Sequence, residues 1–518
     1  MSDAVDHGIT VTEIASMDQP IDACPETTAA FVGRALRGPL NTPVLIRNFG
    51  EFRRRFGDVW GRSSLGPAAK HFFAHGGTRL YVVRVANNAR GALLCLPANG
   101  SALFLRAMEP GSTEVIRAAV DYDGIDDGNE DYFNLTLQRI NPQNGLIVDQ
   151  EFFRELSWQS DAASFFADEL MTSGIAQVEE PFPMQRPEKT ITEGLSQDST
   201  YIRPAQLGTD GAELSNYDLV GSRSAQSGLF ALEQIEQFDL LYMPPPGKGR
   251  DAGPAAILAA EMYCRERSAM LIVDPLLTWD SAAQAVEGIK AMGYSSPNLL
   301  AYYPRVTERG GDDGIARTAG GAIAGLLCKQ DRMHGVWRSL DQAGLGLQRS
   351  LQPVCDLSPG DERLLVRTGL NVIRCGPNGK ARLSGAVTMA RGSEAYATFS
   401  QLPVRRFCLQ LINTIVRATR WAVFETENDS LAKRLRAQIL TYLDCLNDLG
   451  AFENDKFIVQ CDAGVSNRSD SKEHGVTILL VFHPLGCDEP ISLTLHQTAS
   501  GFRVGSTAFG LSIRNSSI

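Results

Sequence analysis

Apolar and polar positions along the chain change period several times, and the changes divide it. From residue 28 to 90, "AAFVGRA" and "TPVLIRN" read as strands, and "FGEFRRRFGD" as a short helix. "LGPAAKHFFAHGG" reads as a helix stopped by Gly76 and Gly77, and "RLYVVRV" as a buried strand. From 91 to 227 the pattern loosens. "YFNLTLQRI" and "GLIVDQEFF" suit a hairpin joined by "NPQN", and "DAASFFADEL" a helix. The stretch 179–218 is polar with scattered Pro, Gly and Ser, and reads as long surface loop. This whole region is expected to be an inserted, outward-facing domain of variable type.

From 228 to 395 regular structure returns. "FDLLYMPPP", "AMLIVDP" and "NLLAYYP" are apolar strands separated by "AAILAAEMYCRER" and "AAQAVEGIKAMG", both at helical spacing. Strand, helix, strand, helix, strand implies parallel pairing through right-handed crossovers. A third pattern covers 396–490: helix "VRRFCLQLINTIVRATR", strand "WAVFE", helix "DSLAKRLRAQILTYLDCLNDLG", then strands "FIVQCD" and "GVTILLVF". "ISLTLHQ" opens a terminal strand and arm over 491–518, and residues 1–27 hold one alternating segment, "GITVTEI", before a turn-rich stretch with Pro20 and Pro25. The expected fold is therefore α/β and α+β in several domains, with a parallel α/β core, an inserted outer domain, a C-terminal α+β domain and extended arms at both ends.

Composition narrows the function classes. The 518 residues suit roughly three or four domains at about 150 residues each. With 43% hydrophobic and 21% charged residues the chain can bury a sizeable core, and its net charge of −11 argues against general nucleic-acid binding. The start has no positive n-region or apolar h-region, and runs such as "VTILLVF" are too short to span a bilayer, so neither secretion by a leader nor membrane insertion is expected. Ten cysteines lie scattered from Cys24 to Cys487 without a C-x-x-C pair, which reads as free thiols in a reducing, cytoplasmic compartment.

Two constellations imitate enzyme chemistry. A strand runs into "PPPGKGRDAGP", then a helix, then a strand ending at Asp274, which resembles a dinucleotide fingerprint with Gly247, Gly249 and an acid about 25 residues on. The spacing to Gly253 is one residue too long, and Pro244, Pro245 and Pro246 bring no N–H to a phosphate. Asp274 precedes a proline, a turn-initiating arrangement whose carboxylate can cap backbone donors. His71 and His75 share a helix face, but "FFA" between them lacks a zinc-protease glutamate and no third ligand lies near in sequence. Basic clusters at Arg53, Arg54, Arg55 and at Lys433, Arg434, Arg436 suit solvated helix faces or a docking surface for an acidic partner.

Four long segments give the chain a likeness. They are "AAFVGRALRGPLNTPVLIRNFGEFRRRFGD" with "FFAHGGTRLYVVRV"; "SGLFALEQIEQFDLLYMPPPG"; "NLLAYYPRV" with "GGAIAGLLCKQDRMHGVWRSL" and "GLNVIRCGPNGKARLSGAVTM"; and "VRRFCLQLINTIVRATRWAVFETEND" with "LAKRLRAQILTYLDCLNDLGAF". In this order they resemble the contractile tail sheath family of contractile phage tails, R-type pyocins and extracellular contractile injection particles. The likeness covers most of 28–90 and 228–455, is weak over 91–227, and does not extend to "VGSTAFGLSIRNSSI".

The resemblance implies a non-enzymatic subunit without metal or cofactor. It would polymerise as stacked hexameric rings around an inner tube, meet baseplate and terminator or cap proteins, and contract to drive the tube through an envelope. The particle would be assembled in the cytoplasm and released. Arms carrying Ile9, Thr10, Val11 and Thr12 at one end, and Ile491, Leu493 and Leu495 at the other, would complete sheets in neighbouring subunits. The terminal domain would face the tube, making Lys433, Arg434 and Arg436 candidate contacts; they sit where a helix dipole favours acids. The competing readings are a nucleotide- or NAD-binding α/β enzyme using Gly247, Gly249 and Asp274, and a metal-dependent protein using His71 and His75.

Overall fold

The computed structural model describes residues 21–518 except 23–24, 127, 142–143, 191–199, 310–315, 342–344, 377–378, 391–393, 426–428, 466–473, 488, 499–500, 509–510 and 515–518. Ile9, Thr10, Val11 and Thr12 lie outside the described residues. The chain divides into two compact units, with residues 26–405 in one and 406–518 in the other.

The first unit is built on an eight-stranded sheet in the order β16-β15-β12-β11-β10-β1-β3-β2. Its parallel strands are β1 (Ala29–Gly33), β3 (Leu80–Arg84), β10 (Leu240–Tyr242), β11 (Met270–Val273), β12 (Leu299–Tyr303) and β15 (Asn371–Cys375). Short antiparallel strands, β2 (Val44–Ile46) and β16 (Ala381–Ser384), close its edges. Every residue of β1, β10, β11 and β12 is buried. That explains their unbroken apolar runs: a parallel sheet covered on both faces has no polar side to show.

Helices α5 (Pro254–Glu266) and α6 (Ala282–Met292) connect β10 to β11 and β11 to β12, and bury Ile257, Ala260, Ala285 and Val286 in one cluster with Leu241 and Leu271. Elsewhere α2 (Leu65–Ala74) lies against α7 (Gly320–His334). A Cβ on Gly321 would sit 2.3 Å from the Ala68 carbonyl oxygen, and one on Gly325 2.2 Å from that of Phe72. Two glycines four apart thus let one helix backbone touch the other.

Residues 93–179 form two antiparallel three-stranded sheets. β4 (Leu93–Ala98), β5 (Ser101–Ala107) and β9 (Ala176–Glu179) make one; β6 (Val115–Asp121), β7 (Tyr132–Ile140) and β8 (Ile147–Ser157) the other. They share a core of Leu94, Leu105, Ala118, Leu135 and Phe166. The expected hairpin is β7–β8. The expected helix shrinks to α3 (Phe166–Glu169) and one 3-10 turn, Leu170–Thr172. Much of the polar stretch after β9 is pinned to these sheets, with Ile202 bridging Ala118 and Thr209 bridging Arg90, before α4 (Asn216–Val220). A further antiparallel pair, β13 (Val306–Glu308) and β14 (Leu351–Pro353), precedes α8 (Pro359–Arg367). Near the start of the unit, α1 (Phe49–Phe56) buries Phe52 and Phe56.

Helix α9 (Leu402–Thr419) leads to α10 (Asp429–Asp448) and a five-stranded antiparallel meander in the second unit. Its strands are β17 (Ile458–Val465), β18 (His474–Phe482), β19 (Ile491–Thr498), β20 (Gly501–Ala508) and β21 (Leu511–Arg514). Phe407, Phe452 and Phe482 meet edge-on, with centroids 5.4 to 6.0 Å apart. "WAVFE" is not a strand: Arg420–Phe424 is a 3-10 helix continuing from α9. A short apolar run has no periodicity to separate the two states, and the preceding helix carried its winding on.

Candidate functional site

In an open α/β sheet, ligands enter where strand order reverses, at the carboxyl ends of the strands. Here that point lies between β1 and β10. It is filled: Pro244 and Leu65 both come within 3.4 Å of where a Cβ on Gly33, the last residue of β1, would stand. The glycine-rich loop does not become a phosphate cradle. The Gly253 N–H at the start of α5 donates to Asn216 Oδ1 at 2.9 Å, and Pro254 has no N–H to offer. Gly247 and Gly249 have open space around them, so neither glycine serves a close approach. The cavity beside Asp251, Asp274 and Leu276 holds about 20 Å³, room for one water and not for a nucleotide.

Asp274 is tied into a network instead. The Tyr242 hydroxyl donates to its Oδ2 at 2.7 Å and lies 2.8 Å from Thr318 Oγ1. The backbone N–H of Gly320 also donates to the carboxylate. Gly320 is the first residue of α7, whose own N-cap, Ala319, has no side-chain oxygen. Asp274 therefore caps this helix from another strand, and meets its positive end. Burial pushes the Asp274 carboxyl up from 3.8 to about 7, opposed by the Tyr242 hydrogen bond, Arg305 and the Gly320 N–H. Burial likewise raises the Tyr242 hydroxyl well above its ordinary value. Arg305 is itself held, by Asp251 and by the Pro275 carbonyl at 2.8 Å.

His71 and His75 do lie side by side, with ring centroids 6.1 Å apart. His75 Nδ1 donates to the His71 carbonyl at 2.7 Å, and its Nε2 accepts the Gln348 N–H at 3.0 Å. Both ring nitrogens are spent, which fixes a neutral tautomer and leaves no lone pair for a metal. His71 has its Nε2 3.9 Å from Glu308, and burial lowers it to about 4. Among the described residues no group of three or more His, Cys, Asp or Glu is placed to hold a metal ion. Among them, too, no helix is long and apolar enough to cross a membrane.

In the second unit, Ile491, Leu493 and Leu495 fall on β19, which is paired on one side with β18 and on the other with β20. Their side chains are buried, alternating with half-buried partners. They occupy an interior strand of their own sheet; among the described strands its edges are β17 and β21. The basic triplet on α10 separates. Lys433 and Arg436 are exposed, while Arg434 lies over the Trp421 ring at 5.0 Å.

A cleft of about 330 Å³ in the first unit brings Arg37, Arg53, Arg54, Thr113 and Asn141 together. Only the arginines of α1 were singled out from sequence. The rest come from separate segments, and no local spacing announces their meeting.

No family model matches the chain, and no curated protein sequence matches it. Solved structures do. A sheath tail protein from Listeria innocua is 14% identical with a TM-score of 0.61, over 93% of this chain and 98% of that one. A sheath tail protein from Desulfitobacterium hafniense is 14% identical with a TM-score of 0.54, over 95% and 100%. The sheath complex of an extracellular contractile injection system, PVC, in its contracted state is 15% identical with a TM-score of 0.52, over 92% and 94%. The fold of this chain is the fold of these sheath proteins.

Proposed function

We propose that this chain is the subunit of a contractile sheath, a structural protein and not an enzyme. The observation that carries the reading is the extent of the structural match: at least 92% of this chain superposes on at least 94% of sheath chains from three sources. A shared α/β core alone would say little, because such cores host many functions. A match that includes the inserted sheets and the C-terminal meander is more specific. The enzyme-like positions support it from the other side: the crevice at the sheet's switch point is filled, and Asp274 is engaged with a helix end.

In this reading the subunits stack as hexameric rings around an inner tube, between a baseplate and a terminator or cap. Head-to-tail contacts that do not close on themselves generate such helical polymers. Contraction needs two lattice packings separated by a drop in free energy, the assembled state being trapped in the higher one. The N-terminal arm with Ile9, Thr10, Val11 and Thr12 links neighbours by strand addition. Ile491, Leu493 and Leu495 serve that link from inside, by holding the receiving sheet together. Lys433 and Arg436 on α10 face the tube. The particle is assembled in the cytoplasm and released.

Negative-stain microscopy of the purified chain tests the reading. Long striated cylinders are the expected result; discrete globular particles at all concentrations would overturn it.

A further inference from the structure

Arg53 and Arg54 are exposed, but a solvated helix face does not account for the buried polar atoms in the cleft they line. The cleft is lined by Arg37, Arg53 and Arg54 against one carboxylate, Asp58, together with Thr113 and Asn141. Arg53 is paired with Asp58 at 3.0 Å, and Arg37 donates to the Arg53 carbonyl at 3.1 Å. Arg54 has no ion pair among the described residues. Two polar atoms of the cleft, Arg37 Nε and Thr113 Oγ1, are buried without a hydrogen-bond partner. The other acids close by are already matched: Glu109 with Arg55 at 3.3 Å, and Glu114 with Arg139. Arg37 also interacts with the Glu114 carboxylate, but three guanidinium groups with one lining carboxylate, Asp58, leave a positive concavity with unmet donors, which suits carboxylates.

The complementary surface is on the same chain. From Asp121, the last residue of β6, through the turn to β7, residues 121–131 read "DYDGIDDGNED" and contain no Lys or Arg. Asp123, Asp126 and Glu130 are exposed there and make no ion pair among the described residues. Arg186 packs against this turn, but it donates to the Asn129 carbonyl and lies over the Tyr122 ring at 4.0 Å. Thr113 and Asn141, which line the arginine cleft, stand at the opposite end of this same hairpin, just before β6 and just after β7. The seven residues of β6 hold the two ends roughly 23 Å apart at about 3.3 Å per residue. The acidic turn therefore cannot fold back into its own cleft.

We infer that Asp123, Asp126 and Glu130, on the acidic turn after β6 of one copy, dock into the Arg37–Arg53–Arg54 cleft of the next copy. A basic socket and an acidic plug at opposite ends of one β-hairpin make a head-to-tail contact, the kind that propagates instead of closing. The inference rests on the self-assembly reading and names one contact within it.

The test compares five full-length proteins: wild type, Arg53→Glu/Arg54→Glu, Asp123→Lys/Asp126→Lys, the combination of these four substitutions, and Arg54→Gln. Self-association is followed by sedimentation velocity at low and high salt, and particle form by negative-stain microscopy. Each reversal alone puts like charges face to face and should reduce association at least about tenfold at low salt. The combination restores opposite charges and should recover it. Circular dichroism checks folding, and Arg54→Gln, which removes charge without repulsion, should weaken association and reduce its salt dependence. Reversals that associate like wild type, or a folded combination that recovers nothing, overturn the docking. Wild-type polymers that are not cylinders retire the sheath reading and leave the docking standing. Cylinders from both reversals do the opposite, and a wild type that stays monomeric retires both.

Discussion

Tyr242, the last residue of β10, donates its hydroxyl to Asp274 Oδ2 at 2.7 Å, across to the residue that follows β11. The pair lies at the carboxyl ends of two parallel strands, where an enzyme of this architecture would hold substrate. What decides its role is the third partner, the Gly320 N–H that opens α7. A buried acid on a helix end, with a phenol as its second donor, is a joint between strand ends and helix. The cavity beside it holds about one water.

That joint has a pH signature. The folded Asp274 carboxyl titrates near 7 against 3.8 when exposed, so the folded state binds more protons between those values. Its contribution therefore falls as pH rises from about 4 to about 7, and is level above. Asp274→Asn keeps an acceptor but cannot ionise. Relative to wild type, the variant should gain stability from about pH 4 to about pH 7 and hold that gain unchanged above, read as the difference in denaturation midpoints. A variant that loses ground with rising pH would mean that the ionised carboxylate is the favoured form.

Gly321 offers a test of helix packing. Its missing Cβ leaves room for the Ala68 carbonyl, and alanine there would place a carbon 2.3 Å from that oxygen. Overpacking costs about 1–3 kcal/mol, offset by up to about 1 kcal/mol of helix propensity. Gly321→Ala should thus destabilise the first unit by about 1–2 kcal/mol in urea unfolding. Gly247→Ala, with nothing within 4 Å, should stay within about 0.5 kcal/mol of wild type. Equal effects at the two sites would contradict the close approach of α2 and α7.

These joints also mark how far the sequence could be read. "MLIV" and "LLAYY" were legible as strands because helices cover both faces of the sheet and every position is buried. β6 was not. It carries Arg117 inward, bonded to Gln138 at 2.6 Å and lying 4.3 Å over the Tyr201 ring, so a core position looks polar in sequence. β4 and β5 are joined by a tight Asn99–Gly100 turn within a region of weak period. The capping role of Asp274 could be guessed from Asp-Pro, but its partners Tyr242 and Gly320 are distant in sequence. The arginine cleft was half visible, as a basic run on α1; its depth depends on Thr113 and Asn141 arriving from the hairpin.

Docking of α10 to an inner tube can be tested without disturbing the fold. Arg434 stacks over Trp421, so reversing it would remove a cation–π contact worth about 0.5–1 kcal/mol and confuse the outcome. Lys433 and Arg436 are exposed and are the informative pair. Lys433→Glu/Arg436→Glu should leave thermal stability within about 0.5 kcal/mol and weaken co-sedimentation with tube, more at low salt than at high. Undiminished co-sedimentation across the salt range would remove α10 as the contact.

The N-terminal arm supplies the last expectation. In "GITVTEI", Ile9, Val11 and Glu13 alternate with Thr10, Thr12 and Ile14, so neither face of an extended strand is uniformly apolar. Burial against its own domain would be weakly driven, while its backbone groups still need partners. A receiving edge must be an outer strand. β18 and β19 are excluded because each is paired on both sides, whereas the outer side of β17 has no partner among the described strands. The linker from Ala15 to Thr28 could span about 45 Å when extended, enough to cross to a neighbouring subunit. Deleting residues 1–20 should therefore leave a soluble subunit with native circular dichroism that no longer forms cylinders. Replacing Val459, an inward residue of β17, by Ala should weaken the receiving strand and shorten the cylinders without abolishing them. Full-length cylinders from the truncated chain would show that the lattice is linked some other way, and global unfolding would show that the arm belongs to the subunit's own core.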